Sequence, residues 1–267
     1  EGRVCEDCVG HLPWRGALRA CYRGSRTHST AVAGMVAAHR VLGTWKRVTR
    51  YIALSDFGRS KFIEGGLPSS RISVKPNFVD APAIQPSQSR DGFLFVGRLS
   101  PEKGIEILRE AAALLSGRTT VRVVGSGPES VRLSNAEGIE QLGAQPSTEV
   151  LAQMAKARAL VMPSLWYETF GLVIVEAFSA GLPVIASRLG SMASLVREGE
   201  TGLLFEPGDA QDLVAKMRWA CDHPAEMAAM GLRARAEYEA HYTPERNYAL
   251  LMDIYRDAMA EVQHGGA

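Results

Sequence analysis

Two glutamates, Glu168 and Glu176, stand on either side of a Phe-Gly pair in the stretch PSLWYETFGLVIVEAFSAGLP, residues 163–183. An apolar run separates them and ends at Gly181-Leu182-Pro183, which stops a helix. Just upstream, ALVMPS (159–164) is a short apolar run of buried-strand type ending in a proline. The stretch therefore predicts strand, loop and helix, with Glu168 in the loop. Thr169 is the expected N-cap, which leaves the amides of Gly171, Leu172 and Val173 without helical partners. A helix end of that kind binds anions. Glu176 falls about seven residues past the cap, roughly 10 Å down the helix. An acid at the mouth, free amides at the helix end and a second acid below suit a sugar, a diphosphate and a ribose laid end to end. A glycosidase also uses two carboxylates, but facing one bond at about 5–10 Å. The intervening helix start argues against that. Taken alone, Glu176 reads equally well as half of a salt bridge on a helix flank.

Other residues able to do chemistry follow predicted strands. Gly97 and Arg98 come after FLFV, with Lys103 five residues on, just before a helix. Arg offers bidentate contacts to a diphosphate and Lys a point charge; alone, the pair reads as solvated loop cations. Gly125-Ser126-Gly127 follows VRVV, and Arg188 to Ser191 follows PVIAS. The full G-x-G-x-x-G is missing, so a nicotinamide cofactor is not supported, and there is no G-x-x-x-x-G-K-[ST] loop. No Asp-x-Asp pair offers to hold a metal on a nucleotide diphosphate.

The elements that must position these residues alternate. Strands are expected at 51–55, 71–75, 93–97, 121–125, 139–142, 159–163, 183–187 and 202–205. Helices are expected at 29–42, from an Asp56 cap to Gly65-Gly66, 104–115, from a Ser147 cap to Ala157, after Thr169, near 192–197, after an Asp209 cap, and at about 225–240 and 244–263. Short apolar strands alternating with helices indicate an α/β fold with a parallel sheet covered on both faces. Ligands in such sheets bind beyond the carboxyl ends of the strands. Residues 78–92, with their prolines and small polar residues, read as a linker. The first part of the chain is too short for a complete doubly wound domain.

The chain has 267 residues, 46% of them hydrophobic, enough for one large domain or two ordinary ones. Lys plus Arg is 30 against 29 Asp plus Glu, which argues against a general nucleic-acid binder. No apolar run approaches the length of a transmembrane helix, and no secretory signal is visible. The chain opens at Glu1 rather than Met, as a piece of a longer protein would. Of the cysteines Cys5, Cys8, Cys21 and Cys221, the Cys5-x-x-Cys8 pair has metal-ligand spacing. Cys5, Cys8 and Cys21 are weak candidates for half a metal site, with His11 or His28 as further donors. Reduced thiols are the plainer reading.

Taken together, FVGRLSPEKG, VVGSGP, LVMPSLWYETFGLVIVEAFSAGLPVIAS and EGETGLLFEPGDAQDL resemble the retaining GT-B glycosyltransferases of group 1, whose most specific signature is the Glu-x7-Glu element with its Phe-Gly. The resemblance covers about 93–215, and KPNFVD (75–80) resembles the passage between the two domains of that fold. It implies a complete Rossmann-like donor domain over 93–242 and a truncated acceptor-side domain over 1–77. A C-terminal helix over 243–267 would return towards the first domain. It implies transfer of a hexosyl group from a UDP- or GDP-sugar to a glycan or lipid-linked acceptor in cell-surface polysaccharide synthesis. No cofactor or metal is required. The place of action would be the cytoplasm or, by peripheral association, the inner face of the membrane. Arg98 and Lys103 would hold the diphosphate, and Glu168 the donor sugar. The amides of Phe170, Gly171 and Leu172 would meet sugar or phosphate, and Glu176 the ribose. Gly97, Gly125 and Gly127 would border the nucleotide. Two departures stand out. SRLGSMASLV places Ser191 and Ser194 where the family carries a second Gly and a Glu. The Gly-rich loop and His of the acceptor-side domain have no match. The alternative is a non-catalytic nucleotide-sugar binding fragment lacking the acceptor half.

Overall fold

The computed structural model describes residues 4–81, 87 and 89–265. The described chain forms two compact units: one over 76–247, the other over 4–75 together with the chain after Asn247. Residues 76–81 thus belong to the larger unit. The Val79 amide donates to the Tyr242 carbonyl at 3.1 Å, and Asn247 Nδ2 donates to the Pro76 carbonyl at 2.6 Å. The stretch expected to be a linker, 78–92, lies partly outside the described residues, at 82–86 and 88.

The smaller unit contains α1 (Trp14–Leu18), α2 (Arg26–Val41), β1 (Tyr51–Ala53), α3 (Asp56–Glu64) and β2 (Ile72–Val74), with β1 and β2 paired in parallel. The short helix α1 has no apolar period in the sequence to announce it. Ser55, not Asp56, caps α3: its hydroxyl accepts from the Gly58 amide, and Asp56 is the first helical residue. The cysteine candidates do not converge. Among the described residues no three His, Cys, Asp or Glu side chains are placed to hold a metal ion. Cys5 and Cys21 are exposed, and the Cys5 Sγ accepts instead from Arg19 Nη1 at 3.3 Å.

The larger unit follows the alternation read from the apolar runs. In order come β3 (Phe93–Val96), α4 (Ile105–Leu114), β4 (Val121–Val124), α5 (Ser130–Leu133), β5 (Ile139–Gly143), α6 (Ser147–Lys156) and β6 (Ala159–Met162). Then follow α7 (Leu172–Ser179), β7 (Val184–Ser187), α8 (Gly190–Leu195), β8 (Gly202–Phe205), α9 (Ala210–Asp222), α10 (Pro224–His241) and α11 (Pro244–Gly265), which runs on into the smaller unit. Asp209 caps α9, its carboxylate accepting from the amides of Gln211 and Asp212. Ser147 does not cap α6 but is its first residue, after Pro146. Among the described residues no helix is long and apolar enough to cross a membrane.

The strands form one parallel sheet in the order β5-β4-β3-β6-β7-β8. Side chains alternate between its faces. Phe93, Phe95, Val121, Val123, Val161, Ile185, Leu203 and Phe205 join one buried cluster with Ile105 and Leu108 of α4 and Leu213 and Met217 of α9. Their neighbours Leu94, Leu160, Val184, Ala186 and Leu204 are buried as well. Burial of both parities explains why these strands read as continuous apolar runs. The chain runs from β3 to β4 on one side and later places β6 on the other. This reversal of strand order between β3 and β6 is where a parallel sheet opens its ligand crevice, beyond the carboxyl ends of the two strands.

Helix α7 is held firmly at the end remote from that crevice. Arg90 donates to the carbonyls of Gly181 and Ala180 at 2.6 and 2.8 Å, and Arg235 donates to that of Ser179. Cations at the C-terminal carbonyls oppose the helix dipole favourably. Helix α10 crosses close by, and a Cβ at Gly231 would stand 2.4 Å from the Gly181 carbonyl oxygen. Gly→Ala inside a helix ordinarily stabilises by about 1 kcal/mol. Here the overlap outweighs that gain, and Gly231→Ala is expected to destabilise by about 1–3 kcal/mol. Thermal or urea unfolding measures it, and a rise in melting temperature would contradict the packing.

Candidate functional site

The crevice is built by two loops that touch. After β3 the chain passes Gly97, Arg98 and a tight turn at Pro101–Lys103 to Gly104, which caps α4 in the left-handed conformation, φ +70°. After β6 it passes Pro163 to Gly171. A Cβ on Gly104 would lie 1.9 Å from the Pro163 carbonyl oxygen, so only glycine lets the loops meet. The Leu165 amide donates to the Glu102 carbonyl at 2.8 Å and joins them again. The Ser100 hydroxyl donates to Glu102 Oε1 at 2.6 Å and holds that carboxyl below the usual range.

This contact sets two charged side chains against each other. Lys103 Nζ lies 2.6 Å from Glu168 Oε1, with side chains 27% and 18% exposed. The pair is half-buried, so it is screened less than a surface pair. The Ser164 hydroxyl, itself buried, donates to the same Oε1 at 2.6 Å. The Ser191 hydroxyl at the start of α8 donates to the Glu168 backbone carbonyl at 2.6 Å. Sequence reasoning singled out Lys103 and Glu168, missed Ser164 as a site residue, and named Ser191 only within the stretch after PVIAS and as a departure from the family pattern. The one available signal for Ser164 was a small hydroxyl directly after the strand-ending proline. Arg98 is exposed, and its charge together with that of Lys103 helps to hold the Glu102 carboxyl ionised.

Helix α7 begins two residues later than the Thr169 cap predicts. Gly171 is the N-cap, at φ +92°. A threonine cap would need its neighbours to be helical at once. Instead the chain turns through Gly171, where a side chain would be strained and where a Cβ would press on Ile174 at 3.2 Å. The amides of Leu172 and Val173 still open the helix without a carbonyl one turn before them, as expected for an anion-binding end. The Phe170 side chain is buried and meets the Tyr242 ring edge-on at 6.2 Å, so only its backbone is available to a ligand. Leu172 is exposed.

Glu176 now lies five residues past the cap, about 7 Å along the axis. It is half-buried, and no cation or donor is found against its carboxylate among the described residues. Burial pushes its pKa up from the ordinary carboxylate value. The salt bridge that a helix-flank glutamate would make is therefore not what occupies it. A carboxylate with unused acceptor capacity suits hydroxyl donors.

The glycines after β4 have a packing reason. A Cβ on Gly125 would stand 1.9 Å from the Gly97 carbonyl oxygen, and one on Gly127 would stand 2.2 Å from that of Leu99. The Gly97 amide donates to the Val124 carbonyl at 3.0 Å, and that of Leu99 to the Ser126 carbonyl at 3.0 Å. Gly97, Gly125 and Gly127 thus form a side-chain-free wall beside the crevice. Arg188, after β7, is engaged by Glu198 and Glu206.

Comparison with known proteins agrees with this architecture. The family model for glycosyl transferases group 1 matches residues 81–237. The sulfoquinovosyl transferase SQD2 of Arabidopsis thaliana is 34% identical over 154 residues, covering 55% of this chain and 30% of that protein. The D-inositol 3-phosphate glycosyltransferase of Streptomyces avermitilis is 35% identical over 186 residues, covering 62% of this chain and 39% of that protein. The chain spans less than half the length of these curated relatives. The crystal structure of Anabaena HepE in complex with UDP superposes with a TM-score of 0.71 at 24% identity, over 80% of this chain and 64% of that one. The same protein has been solved with UDP-glucose, with a TM-score of 0.68. At such identities the likeness is one of fold.

The raised pKa of Glu176 has a sign that can be checked. Where the folded carboxyl binds its proton more tightly than the unfolded one, stability falls as pH rises from the ordinary carboxylate value through the raised one. Glu176→Gln removes that loss. The melting temperature gained by the variant is expected to be larger at about pH 8 than at about pH 4. A gain independent of pH in thermal unfolding would contradict the burial of this carboxylate.

Proposed function

Because the chain belongs to the group 1 glycosyltransferases, we propose that it is a retaining hexosyltransferase. It moves a sugar from a nucleoside-diphosphate donor, of UDP type, to a glycan or lipid-linked acceptor. The observation that carries this reading is the Lys103–Glu168 pair at the mouth of the β3/β6 crevice, beside the opening amides of α7. One cation, one carboxylate and a helix N-terminus match a ligand whose negative charge lies next to a polyhydroxyl group.

In this reading Lys103, joined by the exposed Arg98, holds the diphosphate. As the bond from the anomeric carbon to the diphosphate breaks, positive charge develops on the sugar and negative charge on the leaving group. Lys103, Arg98 and the amides of Phe170, Gly171 and Leu172 stabilise the charge that grows on the leaving group. Glu168 takes the hydroxyls of the sugar. Glu176, half-buried and without a protein partner among the described residues, accepts from the ribose. The glycine wall of Gly97, Gly125 and Gly127 lets the nucleotide approach the backbone. The unliganded pairing of Lys103 with Glu168 keeps both charges satisfied until the diphosphate takes over the ammonium.

A second reading has one observation in its favour: among the described residues the sheet of the smaller unit has two strands, β1 and β2. It is nucleotide-sugar binding without transfer. Release of sugar from a labelled donor by this chain excludes it. For the main reading, UDP is expected to raise the melting temperature. Lys103→Ala and Glu176→Ala should each weaken UDP by about 10- to 100-fold, as loss of a charge-assisted contact does. A folded chain whose melting temperature moves with neither UDP nor GDP would refute the donor site.

A further inference from the structure

We propose that Ser164 and Ser191 are positioning residues that pin Glu168 from two sides, one at its carboxylate and one at its peptide, and so fix the pose in which it meets the donor sugar. The proposal rests on the reading of the crevice as a nucleotide-sugar site. Between Met162 and Leu172 the chain has no helix or strand, so no backbone ladder sets the orientation of Glu168. Two hydroxyls from different places supply what a ladder would. Ser164 follows the end of β6, is 2% exposed, and donates to Glu168 Oε1 at 2.6 Å. Ser191 opens α8, is fully buried, and donates to the Glu168 carbonyl at 2.6 Å.

The division of labour with Lys103 follows from charge. Lys103 also reaches Oε1, but its ammonium is the group a diphosphate competes for. When a donor binds, the ion pair loosens at the moment when Glu168 must hold its place. A buried hydroxyl carries no charge for the diphosphate to attract, so Ser164 stays on Oε1. Both donors converge on that one oxygen, which leaves Oε2 to take a sugar hydroxyl. Ser191 prevents the peptide from rotating and carrying the side chain away. An alanine or glycine there would leave the carbonyl without its donor.

The test separates sugar recognition from nucleotide recognition. Affinities for UDP and for UDP-glucose are measured by calorimetric titration on the wild-type chain and on Ser164→Ala, Ser164→Thr, Ser191→Ala and Ser191→Gly. Unliganded melting temperatures serve as the check on folding. The expected result is UDP affinity within about threefold of wild type, with the preference for UDP-glucose over UDP reduced by about tenfold in the Ala and Gly variants. Ser164→Thr, which keeps the hydroxyl, should restore the preference. On a Glu168→Gln background Ser164→Ala should add little, because the two act as one unit. Folded Ala variants that prefer UDP-glucose as strongly as the wild type overturn the proposal while leaving the donor site standing. An equal loss of UDP and UDP-glucose also overturns it, as the serines then act on the whole pocket. A wild-type chain that binds neither ligand overturns the donor site and the proposal together. Should Ser164→Thr fail to fold, the Ser191 pair and the Glu168→Gln background decide.

Discussion

The contact between the loop after β3 and the loop after β6 is the constraint on which the site depends. Gly104 lies so close to the Pro163 carbonyl that no side chain fits between them. That approach carries Lys103 to Glu168 and the Leu165 amide to Glu102. It is possible because β3 and β6 are neighbours in the sheet although β4 and β5 intervene in the chain. The wall of Gly97, Gly125 and Gly127 repeats the device on the other side of β3, where backbone again packs on backbone.

Helix α7 links the crevice to the rest of the larger unit. Its amino end opens on the crevice with the amides of Leu172 and Val173, which a helix start leaves without helical carbonyls. Its carboxyl end is tied down by Arg90 from the chain before β3 and by Arg235 from α10. A helix fixed by its far end presents its near end rigidly, and preorganised amides are worth more in catalysis than mobile ones. Glu176 sits between the two ends, half-buried, where burial costs its charged form. Such a group is more useful for recognising a ligand than for stabilising the fold, a pattern common at functional sites.

Much of this was legible in the residues themselves. The α/β class followed from short apolar runs alternating with helical stretches, because a sheet buried on both faces demands strands apolar at every position. Lys103 and Glu168 were legible as charges in the loops that follow strands of a parallel sheet, where ligands are expected, and Glu176 as the second acid on the helix that starts past the Phe-Gly pair. Caps were read less well. Ser55 rather than Asp56 caps α3, and Gly171 rather than Thr169 caps α7. In each case two adjacent or nearby residues can do the work, and packing chooses between them. The short helix α1 escaped because five residues are too few to show a period.

The sequence by itself determined the fold class of the larger unit, the order of its elements, and which charged residues follow its strands. These depend on local pattern and on rules of chain direction that hold for any parallel sheet. Only the tertiary structure decided which of those charges meet: Lys103 with Glu168, Arg98 exposed within reach of Glu102, Glu176 without a cation among the described residues. It alone revealed Ser164 and Ser191 as partners of one carboxylate. Among the described residues it groups no three His, Cys, Asp or Glu side chains, Cys5, Cys8 and Cys21 included, to hold a metal ion. The physical reason is distance along the chain. Lys103 and Glu168 are 65 residues apart in the chain, and the contact between them is set by sheet order and backbone packing, neither of which leaves a local mark in the residues.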